Sequence, residues 1–134
     1  MYGHLKAAVE ELASALEARG QKVSVFDLAR DDMAEAVEDA FRYDRLVLAS
    51  ITYQGEIFPF MSTFIHTLAE HAYQNRTVAL VEAGSWAPTA AKVMTKELEG
   101  MKDITLTQNK VTVLGSLNDA SRAQIEALAD ELSK

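Results

Sequence analysis

The run "RLVLASI", residues 45–51, decides the fold. After its arginine it is almost continuously apolar instead of alternating, as expected for a strand of a parallel sheet covered by helices on both faces. The run "TVALVEA", residues 77–83, reads the same way. Between them Phe60, Phe64, Ile65 and Leu68 fall on one helical stripe, and a further helix is expected to start near Pro88, a residue suited to a first helical turn. Strand, helix, strand, helix in this order predicts parallel strands joined by right-handed crossovers.

Toward the N-terminus the alternation continues. "KVSVFDL" (22–28) has the β-branched and aromatic content of a strand, and "RDDMAEAVEDAFRY" then offers Asp31 or Asp32 as N-cap of a helix with Met33, Ala36, Val37, Ala40 and Phe41 inward. Before it, Leu5, Ala8, Val9, Leu12, Ala15 and Leu16 mark one face of a helix that stops at Gly20, a natural C-terminal cap. Toward the C-terminus the last strand lies within "ITLTQNKVTVLG" (104–115), interrupted by polar "TQNK", and a closing helix buries Ile125, Leu128, Ala129 and Leu132. The expected architecture is a single α/β domain over residues 1–134, with three layers around a parallel sheet of four strands. Its first element is a helix with no strand before it.

Composition narrows the function. The chain has 134 residues, of which 49% are hydrophobic and 25% charged, enough for one domain with a real core. A net charge of -7 disfavours nucleic acid and anionic membrane surfaces, leaving a small ligand or a protein partner. With no cysteine there is neither a disulfide nor a thiolate metal site. No apolar run is long enough to span a membrane and no secretory leader is visible, so a cytoplasmic location is the expectation. His66 and His71, five apart on a helix, do not share a face as metal-binding pairs do and read as solvent-facing, with Glu70 within reach of His66. Asp31 and Asp32 suggest the acidic pocket of a phosphorelay receiver, yet no aspartate ends the 45–51 strand to accept a phosphoryl group. No GxGxxG fingerprint of a dinucleotide site is present.

In open parallel sheets ligands bind beyond the carboxyl ends of the strands. Two of those ends are unusual: "SITYQGEIFPF" from Ser50 and "AGSWAPTAAK" from Ala83 each combine a glycine and hydroxyls with an aromatic residue, Tyr53 or Trp86. A ring that stacks and a backbone that can approach closely suit a flat heterocycle. "MYGHL" (1–5), a glycine at the mouth of a helix, suits a phosphate held by helix N-terminal N–H groups.

These three loops, in this order, resemble the flavodoxin-like FMN domain, and specifically the one at the C-terminus of flavodiiron proteins (A-type flavoproteins). The family's phosphate loop reads approximately Ser-Met-Tyr-Gly-His/Asn-Thr, which Met1, Tyr2, Gly3 and His4 match. Its ring loop, typically Ser/Thr-x-Thr-Tyr-Asn-x-Gly-x-Phe-Pro, resembles the stretch carrying Ser50, Thr52, Tyr53, Phe58 and Pro59, and "GSWAPTAAK" resembles its third loop. The resemblance implies FMN as cofactor. It implies a phosphate held by Met1, Tyr2, Gly3, His4 and Leu5, and a ring held by Ile51, Thr52, Tyr53, Gln54 and Gly55 together with Gly84, Ser85, Trp86 and Ala87. Tyr53 and Trp86 are expected to flank the ring.

The departures from the family pattern carry expectations of their own. Leu5 stands at the closing Thr, the leading hydroxyl and the family's first strand are absent, and Gln54, Gly55 and Glu56 replace the usual residues of the ring loop. A lost hydrogen bond to a charged phosphate costs roughly 1.5 to 3 kcal/mol, so two would weaken FMN by about two to four powers of ten. The implied function is an electron-transfer module of an oxidoreductase that serves a redox protein partner or a diiron domain outside this chain, with no complete catalytic site of its own. The alternative is a flavin-free domain of the same fold acting in interaction or dimerisation. Without a first strand, the 22–28 strand is expected to close against 45–51, or a second chain to fill the gap, as in a homodimer.

Overall fold

In chain order the elements are α1 (Tyr2–Ala18), α2 (Met33–Arg42), β1 (Arg45–Tyr53), β2 (Glu56–Ile57), α3 (Pro59–Glu70), β3 (Arg76–Gly84), α4 (Ala90–Leu98), β4 (Ile104–Leu106), β5 (Val111–Leu114) and α5 (Asp119–Leu132). They come from a computed structural model that describes residues 2–28, 31–53, 56, 57, 59–84, 90–99, 101–114 and 118–133, with backbone alone for 2–4, 52, 53, 56, 57, 59, 84 and 114.

The two apolar runs form the expected parallel pair, β1 against β3 from Arg45↔Thr77 to Ile51↔Ala83. On the other edge of β3, β4 pairs with residues 76–78 and β5 with residues 81–84, both in parallel. The polar "TQNK" breaks this edge into two strands for a visible reason. Thr107 still donates its N–H to the Val78 carbonyl at 3.0 Å. The next two N–H groups, of Gln108 and Asn109, turn instead to the Glu131 carboxylate on α5 at 2.8 and 2.9 Å. The parallel sheet thus has four strands in an open array, and β2 adds a two-residue antiparallel hairpin onto the tip of β1.

The expected strand at 22–28 is not one. Among the described residues Lys22–Phe26 make no backbone hydrogen bond, and nothing pairs with β1 along Arg45–Ile51 except β3. The segment nevertheless alternates as a strand does. Val23 packs into the layer of α1 and α5, whereas Phe26 and Leu28 pack into the layer of α2, α3 and α4. Residues 22–28 thus give side chains to both layers but form no ladder with β1 among the described residues, so the anticipated closure does not occur. The four parallel strands arise instead from the division of the last strand.

Each face of the sheet carries its own core. Leu5, Ala8, Leu12 and Leu16 of α1 and Ile125, Leu128, Ala129 and Leu132 of α5 cover Ala79, Val81, Ala83, Val111 and Val113. The opposite face buries Leu48, Val78 and Leu80 under Phe64, Ile65 and Leu68 of α3 and Ala91, Met94 and Leu98 of α4. Phe60, expected on the α3 stripe, is 44% exposed; Met61 takes the inward place. The helix ends follow the capping rules. Gly20 at φ 82° closes α1 with a Gln21 N–H to Leu16 carbonyl bond, a Schellman motif. Asp32 caps α2 by accepting the Ala34 N–H, and Asn118 forms a capping box with Ser121 on α5. Among the described residues no helix is long and apolar enough to cross a membrane.

Candidate functional site

The direction of α1 places its first turn. Glu11 pairs with Arg122 at 3.4 Å and Arg19 with Asp130 at 2.8 Å, so α1 and α5 run side by side in the same direction. The α5 helix starts just beyond the end of β5, at the carboxyl edge of the sheet, and α1 therefore begins at that edge too. Both ion pairs join residues 111 apart, so Asp119 lies level with Ala8. At a rise of 1.5 Å per residue the first turn of α1 stands about 9 Å beyond the start of α5. Its N–H groups have no acceptor within the helix and point outward, which is the geometry of an anion site.

The ends of β1, β3 and β5 reach the same edge, and just beneath them is a row of polar residues. Ser50, Glu82 and Thr112 are register partners on these adjacent strands, in the order β1, β3, β5. Glu82 is only 2% exposed. Its Oε1 accepts the N–H of Ala91 in the first turn of α4 at 3.0 Å. Its Oε2 accepts the Thr112 hydroxyl at 2.9 Å and lies 3.1 Å from Lys110 Nζ. A buried carboxylate is tolerated when paired and hydrogen-bonded in this way, and the helix N-terminus adds favourable dipole interaction. Thr112 is held in turn through its N–H, donated to Gln124 Oε1 on α5 at 2.8 Å. One carboxylate thereby ties β3, β5 and α4 together near the carboxyl end of β3.

The structure places the sequence-predicted site residues as follows. Tyr2, Gly3 and His4 form the first turn of α1, and Leu5 puts its side chain into the core. Ile51 packs partly buried against the α1 and α5 layer, and Thr52 and Tyr53 pair with Ile57 and Glu56 as the root of the hairpin. Gly84 ends β3 opposite Leu114. Met1, Gln54, Gly55, Ser85, Trp86 and Ala87 lie outside the described residues. Phe58 does too.

Sequence reasoning missed Glu82, Lys110 and Thr112. The signal was a lone carboxylate inside "TVALVEA", a run otherwise fit for burial on both faces. Other candidates have structural roles. Asp32 caps α2, and Asp31 accepts the Asp27 N–H at 2.6 Å. His66, exposed as expected, faces Glu97 at 3.8 Å and not Glu70; Ser62 donates to the same Glu97 oxygen at 2.8 Å.

Neither protein-family models nor curated proteins match this sequence. Solved structures do match in shape. Rubredoxin oxygen:oxidoreductase from Desulfovibrio gigas superposes with a TM-score of 0.87 at 18% identity, over 99% of this chain and 33% of that one. A flavodiiron core from Synechocystis gives 0.88 at 13% identity, again over 99% and 33%. An archaeal flavodoxin gives 0.85 at 16% identity, over 99% of this chain and 90% of its own. The chain thus spans a third of the flavodiiron proteins and nearly the whole of a flavodoxin. With four parallel strands between two helical layers among the described residues, the chain has the flavodoxin-like fold.

Proposed function

We propose that the chain is an FMN-binding electron-transfer domain, the module that in a flavodiiron O₂ or NO reductase would pass electrons to a diiron centre. The observation that carries this reading is convergence: the first turn of α1 and the ends of β1 and β3 meet at one edge of a flavodoxin-like sheet. The described residues fit the group where they can be compared with it. Unsatisfied N–H groups at Tyr2–Leu5 suit a phosphate, and Leu5, with its side chain in the core, contributes through its backbone alone. Tyr53 and Trp86 are assigned to the ring faces, with Ile51, Thr52, Gln54, Gly55, Gly84, Ser85 and Ala87 around its edge. When bound, FMN supplies reversible electron transfer; the protein fixes its orientation and the charge around it. The partner is a redox protein or a diiron domain outside these 134 residues.

The test is the purified chain itself. Flavin absorbance that co-elutes with the protein in gel filtration, or saturable quenching of FMN fluorescence on titration, is the expected result. A colourless protein that fails to quench FMN overturns the reading. That among the described residues Lys22–Phe26 make no backbone hydrogen bond, and that β3 is the one parallel partner of β1, favours the second reading, a flavin-free interaction domain. That reading gains if the colourless protein elutes as a dimer.

A further inference from the structure

The Glu82–Lys110 pair has no part in the phosphate or ring contacts assigned above, and its placement needs explanation. A carboxylate that is 2% exposed is a poor choice for stability alone, because burying a charge offsets most of what its partners return. The strand position would accept a valine, as Val78 and Val81 show. Glu82 lies two residues before the end of β3, where the loop assigned to the ring begins. Its counter-ion comes from the far side: Lys110, with its side chain 51% exposed, reaches in from the edge of the sheet to 3.1 Å from Oε2. The negative charge is fixed beneath the site by Ala91 and Thr112, while the positive charge that balances it is solvent-accessible.

We propose that Glu82 and Lys110 form a charge pair that sets the reduction potential of FMN at this site, an inference that rests on the FMN reading. Reduction adds negative charge to the flavin. A buried carboxylate without its counter-ion opposes that step, whereas a lysine without its carboxylate favours it, and low-dielectric surroundings let either charge act over several ångströms. Neither residue touches the cofactor in this scheme; Glu82 is a positioning and charge-setting residue, and Lys110 its neutralising partner.

Four proteins test this, each first titrated with FMN by fluorescence and then poised in a spectroelectrochemical cell: the unaltered chain, E82Q, K110M and the double variant. E82Q preserves side-chain volume and an acceptor for the Ala91 N–H, and K110M alters a half-exposed side chain, so both should fold. The expected pattern is opposite in sign. The FMN potential rises in E82Q, falls in K110M and returns toward the starting value when both are changed, with FMN affinity altered by less than about tenfold in K110M, because rim charges contribute little to binding. A purely structural role would move both single variants in the same direction, or neither. Either of those results, with FMN still bound by the unaltered chain, overturns this inference alone. Failure of the unaltered chain to bind FMN overturns the inference and the functional reading together.

Discussion

Tyr73 shows at the level of single atoms what the core tolerates. Its side chain is 1% exposed, and its hydroxyl has no hydrogen-bond partner among the described residues. The ring is held edge-on by Phe41 at a centroid distance of 5.0 Å and lies under the Arg76 guanidinium at 5.1 Å. That guanidinium also donates to the carbonyls of Phe41, Tyr43 and Gln74, so the ring sits in a staple joining α2 to β3. Desolvation pushes the phenol up from 10.0 to about 12, against the opposing field of Arg76. The sign of the consequence is fixed. Below pH 10 both folded and unfolded chains keep the proton; between about 10 and 12 the unfolded chain loses it while the folded chain does not, so stability falls as pH rises through that window. Tyr73→Phe removes a buried hydroxyl that gains no partner and keeps the ring contacts. It should raise stability by about 1 kcal/mol at neutral pH and shrink the alkaline loss. Thermal melts at pH 7 and pH 11 check both statements, and a lower melting temperature at pH 7 would show that the hydroxyl has a partner in solution.

Among elements, the helices and the strands β1 and β3 were legible because their apolar patterns specify them. "TVALVEA" is buried on both faces and "RLVLASI" is buried at Leu48 and Ser50 and partly buried on its other face, while the helices carry apolar stripes and α1, α2 and α5 are closed or capped at Gly20, Asp32 and Asn118. What was not legible depended on long-range pairing. Residues 22–28 have strand composition and strand alternation, but a ladder requires a neighbour, and propensity does not supply one. The division of the last strand required Glu131, 22 residues away from Asn109, to capture N–H groups that β3 would otherwise bind. Hydrogen exchange separates the two kinds of segment. Amides of Val23–Phe26 should exchange orders of magnitude faster than those of Val81–Ala83, which sit between the ladders to β1 and β5. Strong protection at Val23–Phe26 would mean that a strand pairs with them in solution, and its loss on dilution would identify that strand as a second copy of the chain.

For the molecule as a whole, β3 is the shared member. Val78 and Leu80 belong to the core under α3 and α4, while Ala79, Val81 and Ala83 belong to the core under α1 and α5. The candidate site depends on both, since α1 brings the anion end from one layer and α4 the Glu82 anchor from the other. In the sequence, the glycine and aromatic residues at or after the ends of β1 and β3 are what point to the carboxyl edge. The charge pair beneath it was not legible there, because Lys110 and Glu82 meet only through the register of β5 on β3. A sheet whose central strand serves both layers cannot lose one and keep the other, so unfolding should be a single transition. Leu68→Ala, in one layer, and Leu128→Ala, in the other, both remove fully buried side chains and should each cost about 2 to 5 kcal/mol. At roughly 4 °C per kcal/mol for a domain of this size, each lowers the melting temperature by about 8 to 20 °C. Far-UV circular dichroism, which follows the helices of both layers, and exchange at Val81, which follows the sheet, should report the same midpoint in both variants. If Leu128→Ala instead melts α1 and α5 while Val78 and Leu80 stay protected, the layers are independent and β3 does not couple them.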